Sequence, residues 1–483
     1  MNRRFWAYTA AILLAGCAVG PNYRAPETAS LGVPAGYAPP ITRPPDASGN
    51  SLPSKTSIAP ADLASWWQQF DDPLLTDLIG RATAGNLQIV QSLARLAEAR
   101  EARVQAGADL LPTLNGSAGA GRNFTRGRGL STGTTDLSLG ADASWQADIF
   151  GGVRRSLEAA RADEAAARFD LEGVRTSVAA EVATNYINAR LAQARLQIAR
   201  STLSTQEENL QIAGWRAQAG LVSSLDVEQA RAQRAQTAAS IPLIETSYLQ
   251  AVARLGTLTG QAPGALRAEM ERARAIPHGP DNIAIGIPAD TLRRRPDVRS
   301  AERQLAAATA RIGVAKASLF PALSISGNLG TDAATFGKLG NLLTGGLFAG
   351  LTQTIFDAGK RNSRVRSSRA GADLAFANYK QTVLSGLEEV ENAVQALEAA
   401  KARQAQLAIS LEASNNAAIY ARSQYRSGLI DFVTLLQSEQ TLLSARDQLA
   451  AADADQALAL VRLYVALGGG WQPRAADPAG TPT

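Results

Sequence analysis

Residues 136–152, DLSLGADASWQADIFGG, alternate strictly. Leu137, Leu139, Ala141, Ala143, Trp145 and Ala147 share one parity, and Asp136, Ser138, Gly140, Asp142, Ser144, Gln146 and Asp148 share the other. A period of two predicts a β-strand with one apolar and one polar face. PALSISGNLG repeats the pattern, setting Leu323, Ile325 and Leu329 against Ser324, Ser326 and Asn328. Four such segments are predicted, near 113–125, 135–149, 321–331 and 344–356. Gly-, Ser- and Thr-rich loops such as TRGRGLSTGTT join them.

Each strand pair runs into a helical pattern. Residues 153–219 and 360–427 contain no proline and many good helix formers. As single helices they would each be roughly 100 Å long. Leu171, Val174, Val178 and Val182, spaced by three and four, predict one apolar stripe. Gly220 and Gly428 read as C-caps at tight turns into return helices.

The chain contains itself twice. Pro112 and Pro321 lie 209 residues apart, Phe150 and Phe356 206 apart, and Gly220 and Gly428 208 apart. Three anchors at nearly one offset predict two similar halves, 62–260 and 290–471. A linker (261–289) and a flexible C-terminal tail (472–483) complete the division.

Strands of 10–13 residues with a dyad pattern have the length and signature of transmembrane β-strands. In that reading the Leu/Ala/Trp face meets lipid, and the Asp/Ser/Gln face, with Asp142 and Asp148 as generic lining, meets water. Four strands cannot close a barrel, and open sheet edges do not survive in lipid. The chain must then share a barrel with copies of itself: two copies give 8 strands and three give 12.

Composition narrows the chemistry. Of 483 residues, 46% are hydrophobic, and 48 basic against 43 acidic residues leave a charge of only +5. Basic residues form no block interleaved with aromatics, so nucleic acid is not an expected partner. The single His, His278, sits in the turn-like IPHGP, and the single Cys is Cys17. A Cys/His zinc cluster and an intrachain disulfide are thereby excluded. With no Gly-rich phosphate loop and no nucleophile elbow, the chain does not read as an enzyme. Arg293, Arg294 and Arg295 read as a solvated helix start with Pro296 near N1.

Residues 1–16 read as a lipoprotein signal peptide: Arg3 and Arg4, then an apolar run too short to span a bilayer. It ends Leu14-Ala15-Gly16-Cys17, which resembles the bacterial lipobox. That resemblance implies cleavage before Cys17, with a diacylglycerol and an N-acyl chain on it, and no other cofactor is expected. Ala18, in place of an aspartate, implies outer-membrane sorting. Ten of 21 prolines fall between Pro21 and Pro73, predicting an extended N-terminal segment over 17–61.

The lipobox, WWQQFDDPLLTDLI, LRRRPDVRSAE, the two LxP strand starts and the two Gly-capped tips together resemble the TolC/OprM outer-membrane factor family. The likeness is to its NodT-like lipoprotein branch, which works with resistance–nodulation–division (RND) pumps. The resemblance implies a mainly α fold with transmembrane β: a homotrimer whose antiparallel helical hairpins form an α-barrel joined to a 12-stranded β-barrel. It implies a passive exit duct for drugs or other small toxic compounds, a periplasmic adaptor and an inner-membrane RND pump as partners, and outer-membrane lipid around the strands. It also implies a periplasmic aperture at the hairpin tips. Asp431 resembles an aperture acid of OprM-like members, where three copies would crowd and raise one another's pKa; read from its place beyond Gly428 alone, it is equally a helix N-cap accepting backbone N–H groups. Tyr425 matches a tyrosine that latches the closed state, and Asp226 could bond to the neighbouring hairpin. Thr434 and Gln437 stand where TolC-like members carry acids. Two other readings remain open: a TolC-like duct for type I secretion or metal-ion efflux, and a lipid-anchored periplasmic coiled coil.

Overall fold

A computed structural model describes residues 18–34, 63–127, 130–280 and 288–472. The signal peptide, Cys17, most of 17–61, part of the linker and the tail from 473 lie outside the described residues. The chain divides into two compact units. One is Met1–Pro26, Ala94–Phe169 and Arg299–Gln381; the other is Glu27–Leu93, Asp170–Val298 and Thr382–Thr483.

The α-helices longer than four residues are α1 (Pro73–Gly85), α2 (Leu87–Ala108), α3 (Gly152–Gln218), α4 (Ser224–Leu258), α5 (Pro288–Arg294), α6 (Pro296–Ala317), α7 (Lys360–Arg426) and α8 (Phe432–Ala466). The strands are β1 (Thr113–Gly127), β2 (Leu130–Ala147), β3 (Ala322–Ala333) and β4 (Thr344–Thr352). The long helices α3 and α7 have 67 residues each, and their return helices α4 and α8 have 35 each. The predicted stripe is an inward face: Leu171, Val178 and Val182 are buried, and Ala179, Ala183, Tyr186 and Ile187 extend it. Alanine at these positions leaves room for close helix approach. Helix α4 runs through Pro242, which gives up one ladder donor. No helix among the described residues is long and apolar enough to cross a membrane.

The first unit holds one antiparallel sheet in the order β1-β2-β3-β4. Leu114 faces Ala143, Ala118 faces Leu139, Trp145 faces Ile325, Ala147 faces Leu323, and Leu323 faces Leu351. Register therefore puts the apolar rows of all four strands on one side, because directly opposed residues share a face. The other side carries Asn115, Ser117, Asp136, Ser138, Asp142, Ser144, Ser324, Ser326 and Asn328, with Phe348 the large apolar residue among them. Strand β2 ends at Ala147, so Asp148 is not lining. Its carboxylate accepts from the backbone N–H of Val153 (3.0 Å) and Arg154 (2.9 Å) and starts α3. Asp357 does the same for α7, accepting from Gly359 and Arg361.

The second unit explains the WWQQFDDP motif. Trp66 is buried and stacks on Tyr464 at 5.6 Å. Asp72 caps α1 by accepting from Leu74 and Leu75 N–H, with Pro73 at N1. Asp72 also accepts a 2.5 Å bond from the Tyr186 hydroxyl. Burial, and then this carboxylate, push the phenol pKa up to about 12. The expectation of a solvated arginine run at 293–295 fails at Arg295, which is only 6% exposed. It pairs with Asp297 (2.7 Å) and Glu389 (2.6 Å) and donates to the Ala466 carbonyl. A guanidinium has five donors, and these three acceptors satisfy enough of them to make its burial tolerable.

Candidate functional site

Two surfaces carry the functional signal: the hairpin tips and the sheet. At the first tip Gly220 has φ +73°, donates to the Ala217 carbonyl, and is followed by Leu221 N–H donating to Arg216. At the second, Gly428 has φ +71°, donates to Tyr425, and is followed by Leu429 donating to Gln424. Both are Schellman turns, and a left-handed residue with no Cβ meets their demand without strain.

The return helices start differently. Ser223 caps α4, its Oγ accepting from Leu225 N–H at 3.1 Å. Asp226 sits in the first turn of α4, half-buried, and its carboxylate makes no hydrogen bond or ion pair among the described residues. Asp431 caps α8, accepting from Thr434 N–H at 2.9 Å. The side chain and backbone of Thr434 hold the Asp431 pKa below the ordinary carboxylate value. Within one chain the shift is thus opposite to the rise expected from crowding, because cap bonds stabilise the ionised form. Asp431 remains fully exposed beyond that bond, so one side chain can cap and still face solvent.

Tyr425 is 5% exposed and points into a small core with Ala213, Ala230, Ala421, Phe432 and Leu435. Its ring meets Phe432 edge-on at 5.7 Å, and its hydroxyl has no hydrogen-bond partner among the described residues. The ring, rather than the hydroxyl, joins the two tips. The residue that sequence reasoning missed is Arg216. Its guanidinium lies 4.4 Å from the Tyr425 ring centroid and donates to the carbonyls of Tyr425 (3.1 Å) and Arg426 (3.2 Å). The first hairpin therefore holds the C-terminus of α7 in the second, where a cation also meets the helix dipole favourably. A lone arginine in a last turn was the available signal. A second clamp, Arg422 with buried Glu439 at 2.8 Å, ties α7 to α8 one turn further in.

The sheet's apolar face is largely exposed: Leu139 is 56%, Leu329 51% and Leu347 81% accessible, with Leu114 and Leu351 also exposed, while Leu137 on the same face is buried. β1 and β4 each pair on one side only among the described residues. Such a face and two free edges are not left in water without a partner. Among the described residues, no group of three or more His, Cys, Asp or Glu is placed to hold a metal.

The family description "outer membrane efflux protein" matches residues 78–261 and 287–469. The chain is 30% identical to Nodulation protein T of Rhizobium leguminosarum bv. trifolii, over 97% of this chain and 98% of that one. It is 31% identical to the pyoverdine export outer membrane protein OpmQ of Pseudomonas aeruginosa, over 85% and 88%. Its fold matches the solved outer-membrane channel OprN with a TM-score of 0.83 at 37% identity, covering 95% of this chain and all of that one.

Proposed function

The chain belongs to the outer membrane efflux protein family, and from that premise we propose that three copies close one duct. It is an outer-membrane efflux channel. In the proposal each copy gives four strands to a 12-stranded β-barrel and two hairpins to a helical barrel. The halves 62–260 and 290–471 are the repeating parts. The duct is passive. It accepts drugs or other small toxic compounds from an inner-membrane RND pump through a periplasmic adaptor. Lipid on Cys17 anchors each copy.

The sheet carries this reading, because its two open edges are complementary. Within the chain, β2 pairs with β3 so that Ser144 faces Ser326. Moving the β2 member forward by the 206-residue repeat, and the β3 member back by 209, sets Gly350 against Ser117 of the next copy. The same shift sets Leu347 against Ala120 and keeps apolar residues on the apolar side. Side chains follow suit. Phe150 stacks on Phe320 at 4.7 Å. Their repeat equivalents, Phe356 and Leu111, are 86% and 67% exposed in the isolated chain and would meet in the assembly.

Asp431 and Asp226 then line the periplasmic aperture, which the buried Tyr425 ring braces from behind, and three Asp431 carboxylates lie near one axis and select for cations. Single-channel recording of the reconstituted lipoprotein tests the reading. Asp431→Ala should raise conductance above the wild-type step. Discrete steps of unchanged size would leave Asp431 a helix cap only, and no steps from either protein would overturn the duct.

A further inference from the structure

The first unit carries a second feature that efflux does not use. An open cleft of about 620 Å³ lies between the end of α6 and the first turns of α7. Leu319, Phe320 and Val365 form an apolar wall, and Lys316, Asn362, Arg366 and Arg369 bring polar groups to it. No carboxylate lines it, and none of the three cations has an ion pair or hydrogen bond among the described residues. Residues 360–372 hold five Lys or Arg and no acid, whereas the repeat-equivalent stretch 154–166 balances three arginines with three acids. Starting a long helix does not require the excess, since α3 starts without it.

Position gives the charge its meaning. Phe320 stands two residues before β3, and Val365 lies within the first two turns of α7. Val19 and Gly20 form one side of the cleft; Val19 N–H donates to Phe150 at the exit of β2 (3.1 Å) and Gly20 packs on Gly313. Cys17 is two residues upstream. If the strands span the bilayer, the cleft sits at its periplasmic headgroup level. We propose that it binds the phosphate headgroup of an anionic diacyl phospholipid, whose acyl chains run over Leu319 and Phe320 toward Leu323 and Leu351 on the apolar face. This inference rests on the membrane-spanning reading above.

Native mass spectrometry of the full lipidated protein in detergent, with dioleoylphosphatidylglycerol or dioleoylphosphatidylcholine added, tests it. The expected result is up to one phosphatidylglycerol retained per chain and none of the phosphatidylcholine. Removing a basic side chain at a membrane surface weakens binding roughly fivefold, so Arg366→Gln with Arg369→Gln should lower retention roughly 25-fold. The double lysine variant should retain the lipid. Equal retention of the two lipids by the wild type, or unchanged retention in the double glutamine variant, overturns the site. So does displacement by inorganic phosphate as effective as by the lipid, which would mark a soluble phosphate site. The same spectrum counts chains. Three chains without lipid refute the cleft alone, whereas no three-chain species refutes the spanning reading and the cleft with it.

Discussion

Leu139 offers the sharpest test of which solvent the sheet faces. It lies at the middle of the 18-residue β2, on the apolar side, opposite Ala118 and Thr331, and is 56% exposed in the isolated chain. Ser138, its neighbour, points to the other side. On a water-facing sheet Leu139→Arg is a surface change worth less than about 0.5 kcal/mol. On a lipid-facing barrel an arginine near the midplane costs about 2–4 kcal/mol per chain. Three chains in one barrel multiply that to about 6–12 kcal/mol per assembly. Ser138→Arg, facing the lumen, should cost far less in either setting. The assay is denaturant unfolding of the reconstituted protein, followed by the heat-modifiable gel mobility of a folded barrel. Equal midpoints for Leu139→Arg and Ser138→Arg would refute the assignment of faces.

Two further outcomes follow from the tips. Arg216→Ala frees the carbonyls of Tyr425 and Arg426, so conductance should rise, while Tyr425→Phe should leave conductance unchanged because the hydroxyl has no partner among the described residues; a large effect of Tyr425→Phe would contradict the ring-based clamp. Asp431 has a lowered folded pKa, so its cap strengthens the tip above the unfolded carboxylate pKa and is lost as pH falls through the lower folded value; amide exchange at Thr434 should quicken in that acid window in the wild type and not in Asp431→Asn.

The elements were legible because each announces itself locally. Period-two alternation marks β2 and β3, and proline-free stretches ended by glycine mark α3 and α7. Strand ends were less legible. Asp148 continues the parity of β2, yet it turns away to cap α3, and a carboxylate serving a helix start looks the same in sequence as one lining a lumen. Arg295 was misread for a related reason. A run of three arginines before a proline gives no sign that the third is buried, since its partners Glu389 and Ala466 are about 90 and 170 residues away. At the tips, glycine and aspartate were visible through their backbone demands. Arg216 was not, because its acceptors are carbonyls, which every residue possesses.

In the proposed trimer the open edge of β4 meets β1 of another copy in a defined register. Oxidising the Ser117→Cys, Gly350→Cys protein in native membranes tests this most directly, because the two positions face each other only across that junction. A closed trimer predicts covalent dimers and trimers and no larger species. It also predicts their absence for Ser117→Cys with Gly346→Cys, which lies four residues, about 13 Å, out of register. Equal cross-linking of both pairs, or a ladder running beyond three chains, would contradict it.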